Sequence, residues 1–195
     1  PIYFKKDLET GSFYPIALFG LEEGQNLFLD DQDMWDATYI PLMSRRHPFL
    51  IAMQSSGDKS DDKKPVISID MGNPRVNEIE GELLFKDDGQ PSTYTKQIMK
   101  ILESIHLGNQ SNSDFISEIL ELDLLESFTL EVTLSDGSKH ALSGFYTIKE
   151  TTLNNLNKDQ LASLQKKGYL LPIYMAVASH ARMRSLVDKK DKRVG

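Results

Sequence analysis

Two adjacent arginines, Arg45 and Arg46, are the residues of this sequence best suited to bind a ligand. They lie in the block of residues 35–49, which also contains the only tryptophan, Trp35, and an aromatic Tyr39. A pair of guanidinium groups can bind a carboxylate or a phosphate through paired hydrogen bonds. We therefore take Arg45, Arg46, Trp35 and Tyr39 as the candidate ligand-binding residues, with a small anionic molecule as their ligand.

The same block also fits a purely structural role. The sequence contains 29 aspartate and glutamate residues, any of which could form a salt bridge with one of the two arginines. Trp35 or Tyr39 could then stack on a guanidinium group through a cation–π interaction. The sequence leaves both interpretations of the arginine pair open.

No other group of residues forms a recognisable catalytic or metal-binding pattern. The four histidines are His47, His106, His140 and His180. Their spacing does not place two metal ligands on one helix face. The acidic run at residues 30–33 resembles the start of a calcium loop, but Pro41 occupies the position of the required glutamate. The chain has no cysteine, no glycine-rich nucleotide loop and no Gly-x-Ser-x-Gly motif. We expect no metal, no cofactor and no catalytic residue, and we favour a non-enzymatic protein while leaving enzymatic activity open.

The size and composition of the chain are those of a globular protein. Its 195 residues are enough for one substantial core, and 39% of them are hydrophobic. The net charge of −7 argues against nucleic acid as the partner. No apolar run approaches the roughly 20 residues of a membrane-spanning helix, so we expect no transmembrane segment.

Alternating and turn-forming residues predict β-hairpins that must support the arginine block. Two strand-like runs near the N-terminus are joined by a turn in which Gly11 can adopt a positive φ. Residues 128–134 alternate between apolar and polar side chains, and Asp136-Gly137 makes the turn into a returning strand. Gly144 in that strand marks either a bulge or a close approach of another element. Residues 66–70 and 81–85 are further strand candidates. The polar residues 54–65 predict a mobile surface loop, because they cannot bury enough apolar area to offset their ordering entropy.

Helical spacing of apolar residues predicts four to five helices. A short helix begins near Pro41. Ser92 caps a second helix that Gly108 ends, and Ser113 caps a third that pairs with it in an antiparallel arrangement. Asn157 and Gln160 form a capping box at the start of a helix that Gly168 ends. The last helix is expected from about residue 171 to 188.

These elements predict an α+β fold, in which antiparallel β-hairpins form a sheet that packs against four to five helices. We expect one domain over residues 1–188. Residues 189–195 form a basic C-terminal tail, which is either a solvated helix end that suits the helix dipole or a local basic patch.

An ordered set of short motifs runs from residue 1 to about residue 186. They are Pro1-Ile2-Tyr3-Phe4, Tyr14-Pro15-Ile16-Ala17-Leu18-Phe19-Gly20, Glu23-Gly24-Gln25-Asn26-Leu27-Phe28, Trp35 with Tyr39-Ile40-Pro41, Arg45-Arg46 with Pro48-Phe49, and Asp136-Gly137 with Gly144-Phe145-Tyr146. In its order and spacing this set resembles the SapC family of bacterial proteins. The resemblance implies a link to bacterial surface layers, and it transfers no catalytic residue to this chain.

The resemblance implies a non-enzymatic binding or assembly protein with a protein partner, linked to surface-layer or envelope biogenesis. The alternative is an enzyme, or an accessory to one, that binds a small anionic ligand at Arg45 and Arg46. A homo-oligomer that uses the apolar face of the final helix is a further interpretation.

The compartment follows from weaker signals. Because no leader is visible we expect a cytoplasmic protein, and the family resemblance implies the cell surface as the alternative. The chain opens at Pro1 rather than methionine, so the true N-terminus, and a leader with it, could be missing.

Overall fold

Antiparallel strands and helices alternate along the chain in this computed structural model, which describes residues 1–55 and 63–194. The described residues form two units, one of residues 1–36 with the chain from residue 112 onward, and the other of residues 37–111. The elements in chain order are β1 (Ile2–Lys6), β2 (Phe13–Ala17), α1 (Leu42–Arg45), β3 (Phe49–Ser55), β4 (Lys63–Ile69), α2 (Thr93–Glu121), β5 (Leu125–Thr133), β6 (Lys139–Ile148), α3 (Glu150–Asn154), α4 (Lys158–Lys167), α5 (Leu170–Ser179) and α6 (Arg182–Val194).

A four-stranded antiparallel sheet organises the first unit, with the strand order β2-β1-β6-β5. Both of its predicted hairpins are confirmed. Gly11 has a φ of 73° in the β1–β2 connection, and Gly137 has a φ of 83° in the β5–β6 turn. Gly144 has a φ of 78° where the register shifts opposite residues Phe128 and Leu130, so the predicted bulge is confirmed as well.

The two faces of this sheet carry separate hydrophobic cores because successive strand residues point to opposite sides. Phe4 and Ile148 pack with residues of α2, α4 and α5, including Ile119, Leu164 and Ile173. Tyr3 packs on the opposite face with residues from the segment after β2 and from α6, which include Leu21, Leu27 and Leu186. The sheet is therefore covered on both sides.

In the second unit, the β3–β4 hairpin packs against the first part of α2. Phe49 pairs with Ile69 and Ile51 pairs with Ile67 across the hairpin. The buried residues of this core are Phe49, Ile98, Ile101 and Leu102. Residues 54, 55 and 63–65 of the predicted mobile loop lie in these two strands, and residues 56–62 of that loop lie outside the described residues.

The α+β class with antiparallel sheets is confirmed, although the strands form two sheets of four and two strands. The expectation of one domain over residues 1–188 stays a prediction.

The predicted pair of helices around Gly108 is wrong, because α2 runs without interruption from Thr93 to Glu121. Its start is confirmed, since the Thr95 amide donates to the Ser92 hydroxyl at 3.1 Å. Ser113 caps nothing, and its carbonyl instead accepts a hydrogen bond from the Ser117 hydroxyl. A glycine inside a helix costs only about 1 kcal/mol relative to alanine, which the rest of a long helix can offset.

The predicted single last helix is also wrong, because α5 ends at Ser179 and α6 begins at Arg182. Polar contacts to the sheet fix this break: the Ile2 amide donates to the Ser179 hydroxyl, and His180 is hydrogen-bonded to Thr147. Residues 189–194 of the expected tail belong to α6.

The strand predicted over residues 81–85 does not form. Phe85 makes only an isolated bridge with Pro91, and its side chain is 60% exposed. The turn that follows is confirmed, because the Gly89 amide donates to the Lys86 carbonyl. The capping box of α4 is confirmed too, with reciprocal hydrogen bonds between Asn157 and Gln160.

Candidate functional site

The two candidate arginines lie at the end of α1 in the second unit, and they differ in environment. Arg46 is half-buried, and its Nη1 atom donates a hydrogen bond of 2.8 Å to the Phe49 carbonyl. Arg45 is exposed in the last turn of α1. The ion pairs found among the described residues include neither arginine. The described part of the chain therefore gives no support to the salt-bridge interpretation of the pair.

Arg46 lines an open cleft of about 370 Å³ between α1, β3 and α2. Its other lining residues are Met43, Leu50, Ile51, Leu102, Ile105 and Asn109. A guanidinium group at the side of an apolar cleft can hold the anionic end of a ligand whose remainder is apolar. Because Nη1 is fixed to the Phe49 carbonyl, the plane of the guanidinium group is oriented before any ligand arrives.

His47 follows Arg46 in the chain and responds to the positive charge around it. Burial lowers the pKa of its imidazole, and the positive charges of Arg46 and Arg75 lower it further. The Asp70 carboxylate acts in the opposite direction. The surroundings of Arg46 therefore favour a neutral His47 and an incoming negative charge.

The two candidate aromatics belong to different units. Trp35, in the first unit, stacks on Phe28 with ring centroids 5.8 Å apart and meets Phe19 edge-on at 5.6 Å. Tyr39, in the second unit, is 68% exposed. Trp35 thus has a packing role within its own unit, and its part in ligand binding stays a prediction together with those of Tyr39, Arg45 and Arg46.

A second cleft of the second unit was not anticipated from the sequence. It has a volume of about 340 Å³ and lies between β4 and α2, where Ile67, Met99, Glu103 and His106 line it. It shares Ile51 and Leu102 with the cleft of Arg46, so the two clefts adjoin. Four apolar side chains that line them are exposed, and we call these the cleft rim: Met43 (53%), Leu50 (38%), Ile67 (46%) and Met99 (43%).

The first unit carries a wider cleft of about 620 Å³ on the sheet face of Tyr14 and Phe145. Glu22, which lies on the charged side of this cleft, contacts residues of α6 and β6. Glu22 forms a 3.0 Å ion pair with Lys190 and lies 3.3 Å from His140. The hydrogen bond and charge of Lys190 lower the pKa of the Glu22 carboxyl. These contacts fasten α6 to the segment after β2, which is a structural role.

The basic end of α6 makes further contacts of the same kind. Lys189 pairs with Asp36 at 2.8 Å, and Arg193 donates to the carbonyls of Leu27 and Leu29. Asp191 accepts hydrogen bonds from the amide and the hydroxyl of Ser135. Lys189, Lys190, Asp191 and Arg193 are thus engaged within the first unit, which favours the structural interpretation of the basic tail over a basic patch.

His180, in the first unit, is partly buried, and its pKa is shifted from the usual value of a histidine. Its ring stacks on Tyr3 with centroids 4.9 Å apart, and its Nε2 atom lies 2.9 Å from the Thr147 hydroxyl. Burial lowers the pKa of His180, and the opposing effect of the Glu150 carboxylate is smaller. The folded protein therefore favours the neutral imidazole.

We expect the free energy of unfolding to fall as the pH falls below about 6.5, the pKa of an unfolded histidine. The stability that the folded protein gains from a neutral His180 is fully present above that pH. It is lost as the pH decreases through the lowered pKa of folded His180. Urea denaturation at several pH values between neutrality and mild acidity measures this slope. His180→Gln should flatten it. Equal slopes in the wild type and His180→Gln would contradict the assignment.

Neither a metal-binding cluster nor a membrane-spanning helix is found among the described residues. Within residues 1–55 and 63–194, no three His, Asp or Glu side chains are grouped so that they could hold a metal ion. None of the helices in the described chain combines the length and the apolar character needed to cross a membrane.

Of three comparisons with known proteins, the one with family models found a match. A search of the curated proteins and a search of the solved structures each returned no match. The family model described as SapC matches residues 1–186, which is nearly the whole chain and includes both units. The motifs from Pro1 to Tyr146 that suggested this resemblance all fall within the matched range. The chain belongs to the SapC family.

Proposed function

We propose that this chain is a non-enzymatic binding or assembly protein that holds a protein partner during bacterial surface-layer or envelope biogenesis. Family membership over residues 1–186 supports the class of protein, since the surface-layer link is what the family resemblance implies. The exposed cleft rim of the second unit carries the binding part of the proposal.

The cleft rim suits a protein surface better than a small molecule. Its four apolar side chains surround two adjoining open clefts rather than one enclosed cavity. Ile67 comes from β4 and Met99 from α2, so two elements that pack together present one apolar area. Contiguous exposed apolar area of this kind is typical of protein interaction sites. A partner that covers it would remove the area from water, which is the main driving force of association.

Affinity capture from separated envelope and cytosol fractions tests this proposal. Tagged wild-type protein should recover a defined envelope protein, and the double variant Ile67→Ser/Met99→Ser should recover at most about a tenth as much. Leu8→Ser/Leu171→Ser is the matched control, since these two side chains are exposed but lie in the first unit. Failure to recover a partner from either fraction, together with turnover of a small metabolite by the purified protein, would overturn the proposal.

A second candidate function is the binding of a small anionic ligand with an apolar part, in an enzyme or an enzyme accessory. The observation that favours it is the position of Arg46 in its cleft without an ion pair among the described residues. Thermal shift measurements with a panel of fatty acids, short carboxylates and phosphates form the second arm of the same experiment. This function predicts stabilisation by one class of anion that Arg46→Gln abolishes, with partner capture unaffected.

A further inference from the structure

Residues 76–85 present apolar side chains to solvent next to carboxylates. Ile79 is 93% exposed, Leu83 is 73% exposed and Phe85 is 60% exposed. Glu78, Glu80 and Glu82 occupy the alternate positions from 78 to 82, and all three are exposed. A monomeric protein rarely exposes several large apolar residues on one short segment unless they form an interaction site.

Hydrogen bonds form a local turn at the start of the segment and hold its end against α2. At its start, the Asn77 side-chain oxygen accepts from the amides of Ile79 and Glu80, at 2.8 and 3.1 Å. At its end, the Leu84 carbonyl accepts from the Thr95 hydroxyl at 2.7 Å and from the Ser92 amide at 3.0 Å. Both partners lie at the start of α2.

The side chain of Leu84 anchors the segment and sets which neighbours face outward. Leu84 is partly buried against the core of the second unit, whereas its neighbours Leu83 and Phe85 are exposed. Leu83 and Phe85 are therefore presented by a backbone that is held at Leu84. A fixed backbone loses little conformational entropy on binding, which favours affinity.

The charge of the segment indicates the chemistry of its partner. Residues 76–85 contain three carboxylates and no basic residue. None of the ion pairs found among the described residues involves Glu78, Glu80 or Glu82. An acidic surface that brackets apolar side chains is complementary to lysines or arginines placed around an apolar pocket.

We propose that residues 76–85 are a docking segment for a protein partner whose surface carries basic residues around an apolar pocket. This inference rests on the proposed function, because it names the segment and the chemistry through which a partner is recognised. Ile79, Leu83 and Phe85 enter the apolar pocket of the partner. Glu78, Glu80 and Glu82 meet its basic residues, and they set the dependence of binding on salt.

The first test uses a defined mimic of that surface, an amphipathic peptide of about 14 residues made only of leucine and lysine. Fluorescence anisotropy with the full chain should show binding that weakens as salt is added. Ile79→Ser/Leu83→Ser should weaken binding at least about tenfold, and Glu78→Gln/Glu80→Gln/Glu82→Gln should do the same and flatten the salt dependence.

Two control variants separate the segment from bulk properties of the surface. Leu8→Ser/Leu171→Ser removes apolar residues that are 95% and 71% exposed elsewhere. Glu9→Gln/Glu126→Gln/Glu131→Gln removes the same charge from exposed residues of the first unit. Both should bind the peptide within about twofold of the wild type. The inference is overturned if the wild type does not bind the peptide, or if a control variant loses as much affinity as its counterpart.

The same variants in the capture experiment distinguish this inference from the proposed function. If the wild type recovers an envelope protein and both segment variants recover it equally, the docking segment is wrong and the proposed function stands. If no partner is recovered and the purified protein turns over a small metabolite while the peptide results hold, the proposed function fails alone. Light scattering that shows a dimer lost in the segment variants would assign the segment to a second copy of this chain and overturn the inference.

Discussion

Replacing Tyr3 by alanine should lower the free energy of unfolding by about 3–5 kcal/mol, the usual cost of deleting a buried aromatic ring. Tyr3 is 1% exposed in β1. Its ring stacks on Phe128, at a centroid distance of 4.7 Å, and on His180, at 4.9 Å. The substitution would leave a cavity bounded by β5 and by the junction between α5 and α6. Urea denaturation at neutral pH measures the loss.

Tyr3→Phe is the matched control, because it keeps the ring and removes only the hydroxyl group. It should cost less than half as much as Tyr3→Ala, since the ring contacts survive. Burial also raises the pKa of Tyr3, so the phenol should titrate at higher pH in the folded protein than in the unfolded chain. A loss of under about 1 kcal/mol in Tyr3→Ala would show that the stack does not support the first unit.

Replacing Gly108 by proline should destabilise the protein by about 3 kcal/mol or more, because proline in a helix interior removes a hydrogen bond and clashes with the preceding turn. Gly108→Ala should have the opposite sign and stabilise by about 0.5–1 kcal/mol. A Cβ atom at Gly108 would meet nothing within 4 Å, so alanine gains helix propensity without strain. Urea denaturation of both variants, with circular dichroism at 222 nm, measures these changes.

The sign of the alanine effect decides between one helix and two. If Gly108 ended a helix in a left-handed conformation, as Gly168 does with a φ of 76°, alanine would be strained and would destabilise. Gly168→Ala is therefore the control variant, and it should lower stability while Gly108→Ala raises it. A loss of stability in both variants would contradict the uninterrupted α2.

The parts of the fold that the sequence predicted correctly depend on local chemistry. Asp136-Gly137 and Gly144 are positions where only a few residue types are favourable, and Asn157 with Gln160 satisfies the helix start by itself. The helix end predicted at Gly108 is wrong because glycine is also tolerated inside a helix when the neighbouring turns are stable. The sequence 81–85 resembled a strand, but only Leu84 of that run finds apolar neighbours.

The candidate site was less predictable because it depends on residues that meet only in the folded chain. Arg46 could be singled out by its type, but the cleft beside it is completed by Leu102 and Asn109 of α2. The exposed Ile79 and Leu83 were missed because side-chain exposure is decided by tertiary packing. The alternation of carboxylates with apolar residues over 78–83 is the sequence signal that could have identified them.

The pairing of β1 with β6 has a consequence for the order in which the chain folds. Phe4 pairs with Tyr146, so β1 receives its second neighbour only after most of the chain has been synthesised. The contacts within the second unit lie inside the uninterrupted stretch 37–111. Because closing a long loop costs more entropy than forming local contacts, this stretch should fold first and the central sheet last. Until then the nascent β1–β2 hairpin exposes an unpaired edge on the ribosome, where it is open to pairing with other chains.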